Sequence, residues 1–186
     1  MFSFKSLAVS ALLALSMSAI ADAGNFTLSS PTIKPNGMLG SMQLFDGFGC
    51  AGGNISPALD WRDAPLGTKS FALTVYDPDA PTGSGWWHWV VLNLPATASG
   101  LAEAVGNPSG ASLPVEAIQV RNDFGQPGFG GACPPAGDKA HRYVFTVYAL
   151  KTARIDLPSN ASAAFAGFMI HTNAIGSANI TAFYGR

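Results

Sequence analysis

Residues 85–95, Gly-Trp-Trp-His-Trp-Val-Val-Leu-Asn-Leu-Pro, hold three of the four tryptophans of this 186-residue chain and one of its three histidines. The run is aromatic and β-branched and closes at a proline, which is the composition of a strand. Its apolar residues are continuous rather than alternating, so the strand is expected to be covered on both faces. Strict alternation assigns Trp86, His88, Val90 and Leu92 to one face and Trp87, Trp89 and Val91 to the other. An imidazole there is either a satisfied core histidine or part of a site, and its neighbours decide which.

Runs of the same kind recur at Ser70–Tyr76, Ala117–Arg121 and Arg142–Leu150, separated by clusters of Gly, Pro, Asn and Asp. That pattern predicts a mainly β chain, a sandwich or a sheet backed by helices. Phe165, Phe168, Met169 and Thr172 are spaced i, i+3, i+4, i+7 behind Pro158-Ser159. The spacing predicts a helix of about four turns, with Ser159 as N-cap, Gly176 as its stop and the aromatic residues in the core. Asn179–Tyr184 is expected to return as a last strand. No repeat, charge block or low-complexity linker appears, so residues 24–186 are read as one domain.

The first residues place Lys5 before an apolar run, Leu7–Ile20, and end in Ala21-Asp22-Ala23, which reads as a secretory signal over residues 1–23. The run is shorter than the roughly 20 residues of a spanning helix, and no later run is longer. The mature chain is therefore expected to be periplasmic or secreted, without a transmembrane segment. With 11% charged residues, a net charge of -1 and no Lys/Arg cluster, it lacks the electrostatic footprint of a nucleic-acid binder. Export would deliver Cys50 and Cys133 to a compartment where disulfides persist, so a bridge is the leading reading and two free buried thiols the alternative. Gly47–Gly52 matches G-x-G-x-x-G, but Asn54-Ile55-Ser56-Pro57 follows at once and leaves no helix to bind a dinucleotide.

Two carboxylates, Asp77 and Asp79, end the strand before His88 in a proline-restricted turn, Tyr76-Asp77-Pro78-Asp79-Ala80-Pro81. His141 opens a later strand and shares a face with Tyr143, behind a glycine- and proline-rich loop, Gly128–Gly137. If these segments converge, Asp77, His88, His141 and Tyr143 form a polar cluster in an aromatic setting. Two imidazoles and a carboxylate are a minimal metal set, but no short-spaced ligand pair accompanies them, and no metal or cofactor is assigned. The nucleophile motifs of hydrolases are absent, so no enzyme activity is assigned. Imidazole N–H, tyrosine O–H and loop N–H groups together suit a phosphate or carboxylate group of a small anionic ligand, with Asp77 orienting one histidine while His88 and His141 donate. The competing reading is a protein partner: an inhibitor of a protease or a host signalling protein, using exposed loop residues such as Phe129 or Pro135.

The segments CAGGNISPALDW, YDPDAPTG, GWWHWVVLNLP, GFGGACPPAGDKAHRYVFTVYAL and FYGR together resemble the phosphatidylethanolamine-binding protein (PEBP) family, in its bacterial Raf-kinase-inhibitor-like (YbhB/YbcL) branch. The resemblance runs over nearly the whole chain after residue 23. It implies a PEBP-like antiparallel β-sandwich with a few peripheral helices, one of them near the C-terminus. It also implies a small pocket for phosphate-like groups, whose residues fall on Asp77, Asp79, Trp86, His88, Pro134, His141 and Tyr143.

Overall fold

The computed structural model describes residues 25–186, and the leader read over residues 1–23 lies outside them. Ten strands are paired antiparallel: β1 (Thr27–Ser29), β2 (Asp46–Gly47), β3 (Cys50–Ala51), β4 (Leu59–Arg62), β5 (Ser70–Asp77), β6 (Trp86–Pro95), β7 (Gly100–Leu101), β8 (Ile118–Gln119), β9 (His141–Leu150) and β10 (Ala174–Tyr184). They form a five-stranded sheet in the order β10-β9-β5-β6-β8, a three-stranded sheet β1-β4-β7 and the small pair β2-β3. Strand β5 lies at the centre of the larger sheet, between β6 and β9. Its residues are buried on both faces, as its continuous apolar run requires.

One face of the larger sheet packs on the smaller one. Phe71, Leu73, Val75, Trp89, Val91, Phe145 and Val147 meet Leu28, Leu59, Trp61 and Leu101 in the inter-sheet core. The other face, through Ala72, Val90, Leu92 and Leu150, packs on the helix α1 (Ala163–Asn173).

The face assignment drawn from strict alternation is corrected by two slips of register. Val75 pairs with Trp89 but Tyr76 with Trp87, and Phe71 pairs with Leu94 but Leu73 with Val91. Each slip inserts one extra residue into β6, a β-bulge. The second lies by Asn93, whose φ of 60° belongs to the left-handed region that asparagine tolerates. The first lies by His88. It puts His88 edge-on to Tyr143, on the inter-sheet side with Trp89 and Val91, while Trp87 goes with Val90 and Leu92 to the helix side.

The helix also differs from its expected form. Its N-cap is Ser162, whose hydroxyl accepts from Phe165 N at 3.1 Å, and it has 11 residues, about three turns. It buries Ala163, Ala166, Gly167 and Ile170, again an i, i+3, i+4, i+7 stripe but offset from the aromatic one. Phe165 and Phe168 are 42% and 64% exposed. The small residues win because the helix lies close on β6: a Cβ added at Gly167 would sit 3.0 Å from Trp87 Cη2. Gly176 does not stop the helix; it lies inside β10, which follows α1 directly and pairs with β9. Among the described residues the remaining helical piece is a 3-10 turn at Ser41–Gln43. The strand expected at Ala117–Arg121 is reduced to β8.

Candidate functional site

Antiparallel pairing explains why distant segments meet. Strand β5 runs opposite to both its neighbours, so its end at Asp77 lies beside the start of β6 at Trp86 and the start of β9 at His141. Asp77 closes the turn that follows: its Oδ1 accepts from the backbone N–H of Asp79 at 2.8 Å and of Ala80 at 3.1 Å. Its Oδ2 accepts from His141 Nδ1 at 2.8 Å. On its other side His141 presents Nε2 3.5 Å from Asp138 Oδ2. The carboxylate is thus surrounded by three donors, and the imidazole is held in one orientation.

His88 is held from the opposite side. Its Nδ1 lies 2.7 Å from the Gly130 carbonyl oxygen, which can only accept, so Nδ1 carries the hydrogen. Gly130 N returns a bond to His88 O at 2.9 Å, and Asn122 Nδ2 holds Gly128 O at 2.9 Å, so the 128–130 segment is laced along β6. Burial pushes the His88 pKa below its ordinary 6.5, opposed in part by the Gly130 and Gly131 carbonyls and by Asp77 and Asp123. The neutral ring then has a lone pair at Nε2, contrary to the sequence-based expectation that His88 donates. Tyr143 is driven the other way: burial first, then the Asp77 charge, raises its pKa, so its phenol keeps its proton.

These side chains surround a cavity of about 220 Å³. Asp77, Trp86, His88, Pro134, His141 and Tyr143 line it. Trp86 Nε1 and the Tyr143 hydroxyl are buried without a hydrogen-bond partner among the described residues. Asp79 does not line it. Arg142 takes both Asp79 oxygens, Nε to Oδ2 at 2.9 Å and Nη2 to Oδ1 at 2.8 Å, and the Arg142 backbone N–H adds a third bond at 2.9 Å.

Sequence reasoning missed an aromatic wall, Phe48 and Phe124. Phe124 stacks on Phe45 at 4.2 Å between ring centroids and lies edge-on to His88 at 5.4 Å. Phe48, 70% exposed, stands at the rim. The disulfide between Cys50 and Cys133 supplies the signal that would have found Phe48, because it ties the 47–50 turn to the Cys133-Pro134 segment. Arg186 joins the same walls, donating to Pro134 O at 2.8 Å and to Gly49 O at 3.0 Å. Phe129, expected on an exposed loop, is 4% exposed and lies edge-on to Trp89. Pro135 is exposed. Among the described residues no cluster of three or more His, Cys, Asp or Glu side chains is arranged to hold a metal ion, and no helix is long and apolar enough to cross a membrane.

The Asp79–Arg142 pair makes stability pH-dependent. The Arg142 guanidinium holds the Asp79 carboxyl well below its ordinary 3.8, so in strong acid the unfolded chain binds a proton that the native state does not. This contribution is complete above the ordinary carboxyl range and is lost as pH falls through the depressed native value. Asp79→Asn is expected to lower the denaturant midpoint modestly at neutral pH, with the gap from the parent narrowing in strong acid. A gap that is constant across that range would show that the pair does not set it.

Comparison with known proteins bears on the family and the fold. The profile of the phosphatidylethanolamine-binding protein family matches residues 29–185. The chain belongs to that family. It is 54% identical over 180 residues to YbcL of Escherichia coli K12, covering 97% of this chain and 98% of YbcL. It is 50% identical to YbhB of the same organism over 157 residues, 84% of this chain and 98% of YbhB. The crystal structure of E. coli YbcL aligns with a TM-score of 0.85 at 55% identity, covering 87% of this chain and 98% of that one. A Mycobacterium tuberculosis protein named as a lipoprotein, LppC, is 37% identical over 133 residues, 72% of this chain and 61% of LppC. This PEBP-family chain is a binding protein on a mostly β, antiparallel fold with, among the described residues, a single α-helix near the C-terminus.

Proposed function

We propose that this chain is an exported, non-enzymatic binding protein whose cavity takes a phosphate-like or other anionic group of a small ligand. The observation that carries the reading is the pair of buried donors without partners, Trp86 Nε1 and Tyr143 Oη, on residues lining one cavity. An unpaired buried donor costs about 1–3 kcal/mol, and folded proteins keep few of them. A ligand oxygen beside them removes that cost. Asp77 does not forbid an anion, because three donors already converge on it. Asp77, Trp86, His88, Pro134, His141 and Tyr143 are the proposed binding residues, and Asp79 supports them through Arg142. Binding is favoured over turnover because the cavity's cysteine is locked in a disulfide and the Thr82 hydroxyl is donated to Gly85 O. Export is supported by the leader-like first 23 residues, by the disulfide and by similarity to a protein named as a lipoprotein.

Calorimetric titration with inorganic phosphate and phosphoethanolamine tests the reading. Tyr143→Phe and Trp86→Phe are each expected to weaken binding about tenfold. Tyr143→Phe should leave the ligand-free midpoint unchanged or raise it, since it removes a hydroxyl that makes no bond in the protein. Absence of binding, or affinities untouched by both substitutions, would sink the proposal.

A further inference from the structure

The hydrogen-bond inventory of the cavity is mixed. Trp86 Nε1–H donates, and the Tyr143 hydroxyl is free to donate. His88 is an acceptor there: its ring lines the cavity, and its Nδ1 hydrogen is spent on Gly130 O at 2.7 Å, which leaves the lone pair of the neutral ring on Nε2. Asp77 also retains lone-pair capacity beyond its three bonds. A fully deprotonated oxyanion satisfies the donors but sets its own lone pairs against His88 Nε2. An oxyanion that keeps one hydroxyl satisfies both.

Resting on the anion-binding reading, we infer that this cavity selects an oxyanion still carrying a hydroxyl, hydrogen phosphate or a protonated phosphomonoester, with that hydroxyl donating to His88 Nε2. Sulfate has the size and charge of the hydrogen phosphate dianion but no hydroxyl. Dimethyl phosphate has the charge of the dihydrogen phosphate monoanion and again no ionisable hydroxyl, so it also stands for the phosphodiester of a lipid headgroup. Both leave Nε2 unpaired, a loss that discriminates by about tenfold or more.

The discrimination depends on pH. Asp77 on β5, His141 and Tyr143 on β9, and Asp123 in the segment after β8 are the titratable groups around His88; Asp138 reaches the cavity through His141. Burial holds the His88 ring neutral below its ordinary range. Once pH falls far enough to protonate it, Nε2 becomes a donor and an anion without a hydroxyl is accepted.

Titration calorimetry of the purified protein with phosphate, sulfate and dimethyl phosphate, at about pH 8 and about pH 5 and constant ionic strength, reads this directly. Phosphate is expected to bind about tenfold or more tightly than either competitor at the higher pH, with the ratio shrinking at the lower one. His88→Asn keeps an amide N–H for Gly130 O and offers no acceptor at the Nε2 position, so phosphate should fall to the level of sulfate at both pH values. Nitrogen-15 NMR of the unsubstituted protein should show the neutral His88 ring with its hydrogen on Nδ1, a readout that holds even if the variant fails to fold. Equal affinity for phosphate and sulfate at the higher pH, or a hydrogen on Nε2 in the neutral ring, overturns the inference and leaves anion binding standing. No binding of any of the three at either pH overturns both.

Discussion

Replacing both Cys50 and Cys133 by serine is expected to lower the free energy of unfolding by about 4–5 kcal/mol. The bridge joins residues 83 apart in the sequence, and a loop of that length loses much of its conformational freedom in the unfolded chain once closed. For a chain of this size the loss corresponds to a fall in Tm of about 10–15 °C. The effect on the cavity should be smaller. Arg186 still joins the same two walls through Pro134 O, Gly49 O and Phe48 O, and Phe45 N still bonds Ala132 O at 3.0 Å. Urea unfolding of the double-serine variant, with phosphate affinity measured well below its Tm, separates the two effects. A loss under about 1 kcal/mol would show that the unfolded chain is already restricted between these residues.

The strands around the cavity were legible because their composition leaves no alternative. Ser70–Tyr76 and Arg142–Leu150 are too apolar for a solvated face, and both lie at the middle of the larger sheet. What escaped was register. A β-bulge leaves no trace in a period of two, so His88 was assigned to the face of Val90 and Leu92 although it faces Tyr143. In the helix, a pair of phenylalanines outweighed the alanines and glycine at the buried positions. Hydrophobicity alone favours the aromatic stripe, whereas the close approach of Trp87 to Gly167 leaves room for small residues only.

The polar half of the site was legible for a topological reason. Asp77, Trp86, His88, His141 and Tyr143 all stand at the ends of three strands that are neighbours in one sheet, and each strand was visible. Phe48 and Phe124 stand in loops, whose positions are fixed by contacts across the molecule rather than by local pattern. Asp79 shows the limit of transfer by resemblance: its position matches the motif, but Arg142 takes both carboxylate oxygens.

Gly131→Ala is expected to cost about 3 kcal/mol, a fall in Tm of about 6–12 °C, and to weaken phosphate binding as well. A Cβ at this position would fall 2.5 Å from Gln43 O and 2.5 Å from Phe45 N and would press on the Leu44 carbonyl carbon. These are backbone atoms, so no change of rotamer relieves the overlap; the 43–45 and 131–132 segments must separate. Their separation strains the bonds from Ala132 N to Gln43 O and from Phe45 N to Ala132 O, each 3.0 Å, and the bond from Gly131 N to Asn54 Oδ1 at 2.7 Å. The same movement carries the neighbouring Gly130 carbonyl, which fixes the His88 hydrogen on Nδ1, and it displaces the segment leading to Cys133 and Pro134. Stability and affinity should therefore fall together, unlike the disulfide variant, whose loss lies mainly in the unfolded chain. Gly40→Ala is the control: its nearest outside atom is Gln43 Oε1 at 3.7 Å and its φ is -82°, so the substitution should be neutral or slightly stabilising. If Gly131→Ala unfolds within about 1 kcal/mol of the parent and binds phosphate unchanged, the two segments do not pack backbone to backbone, and the support assigned to His88 is wrong with them.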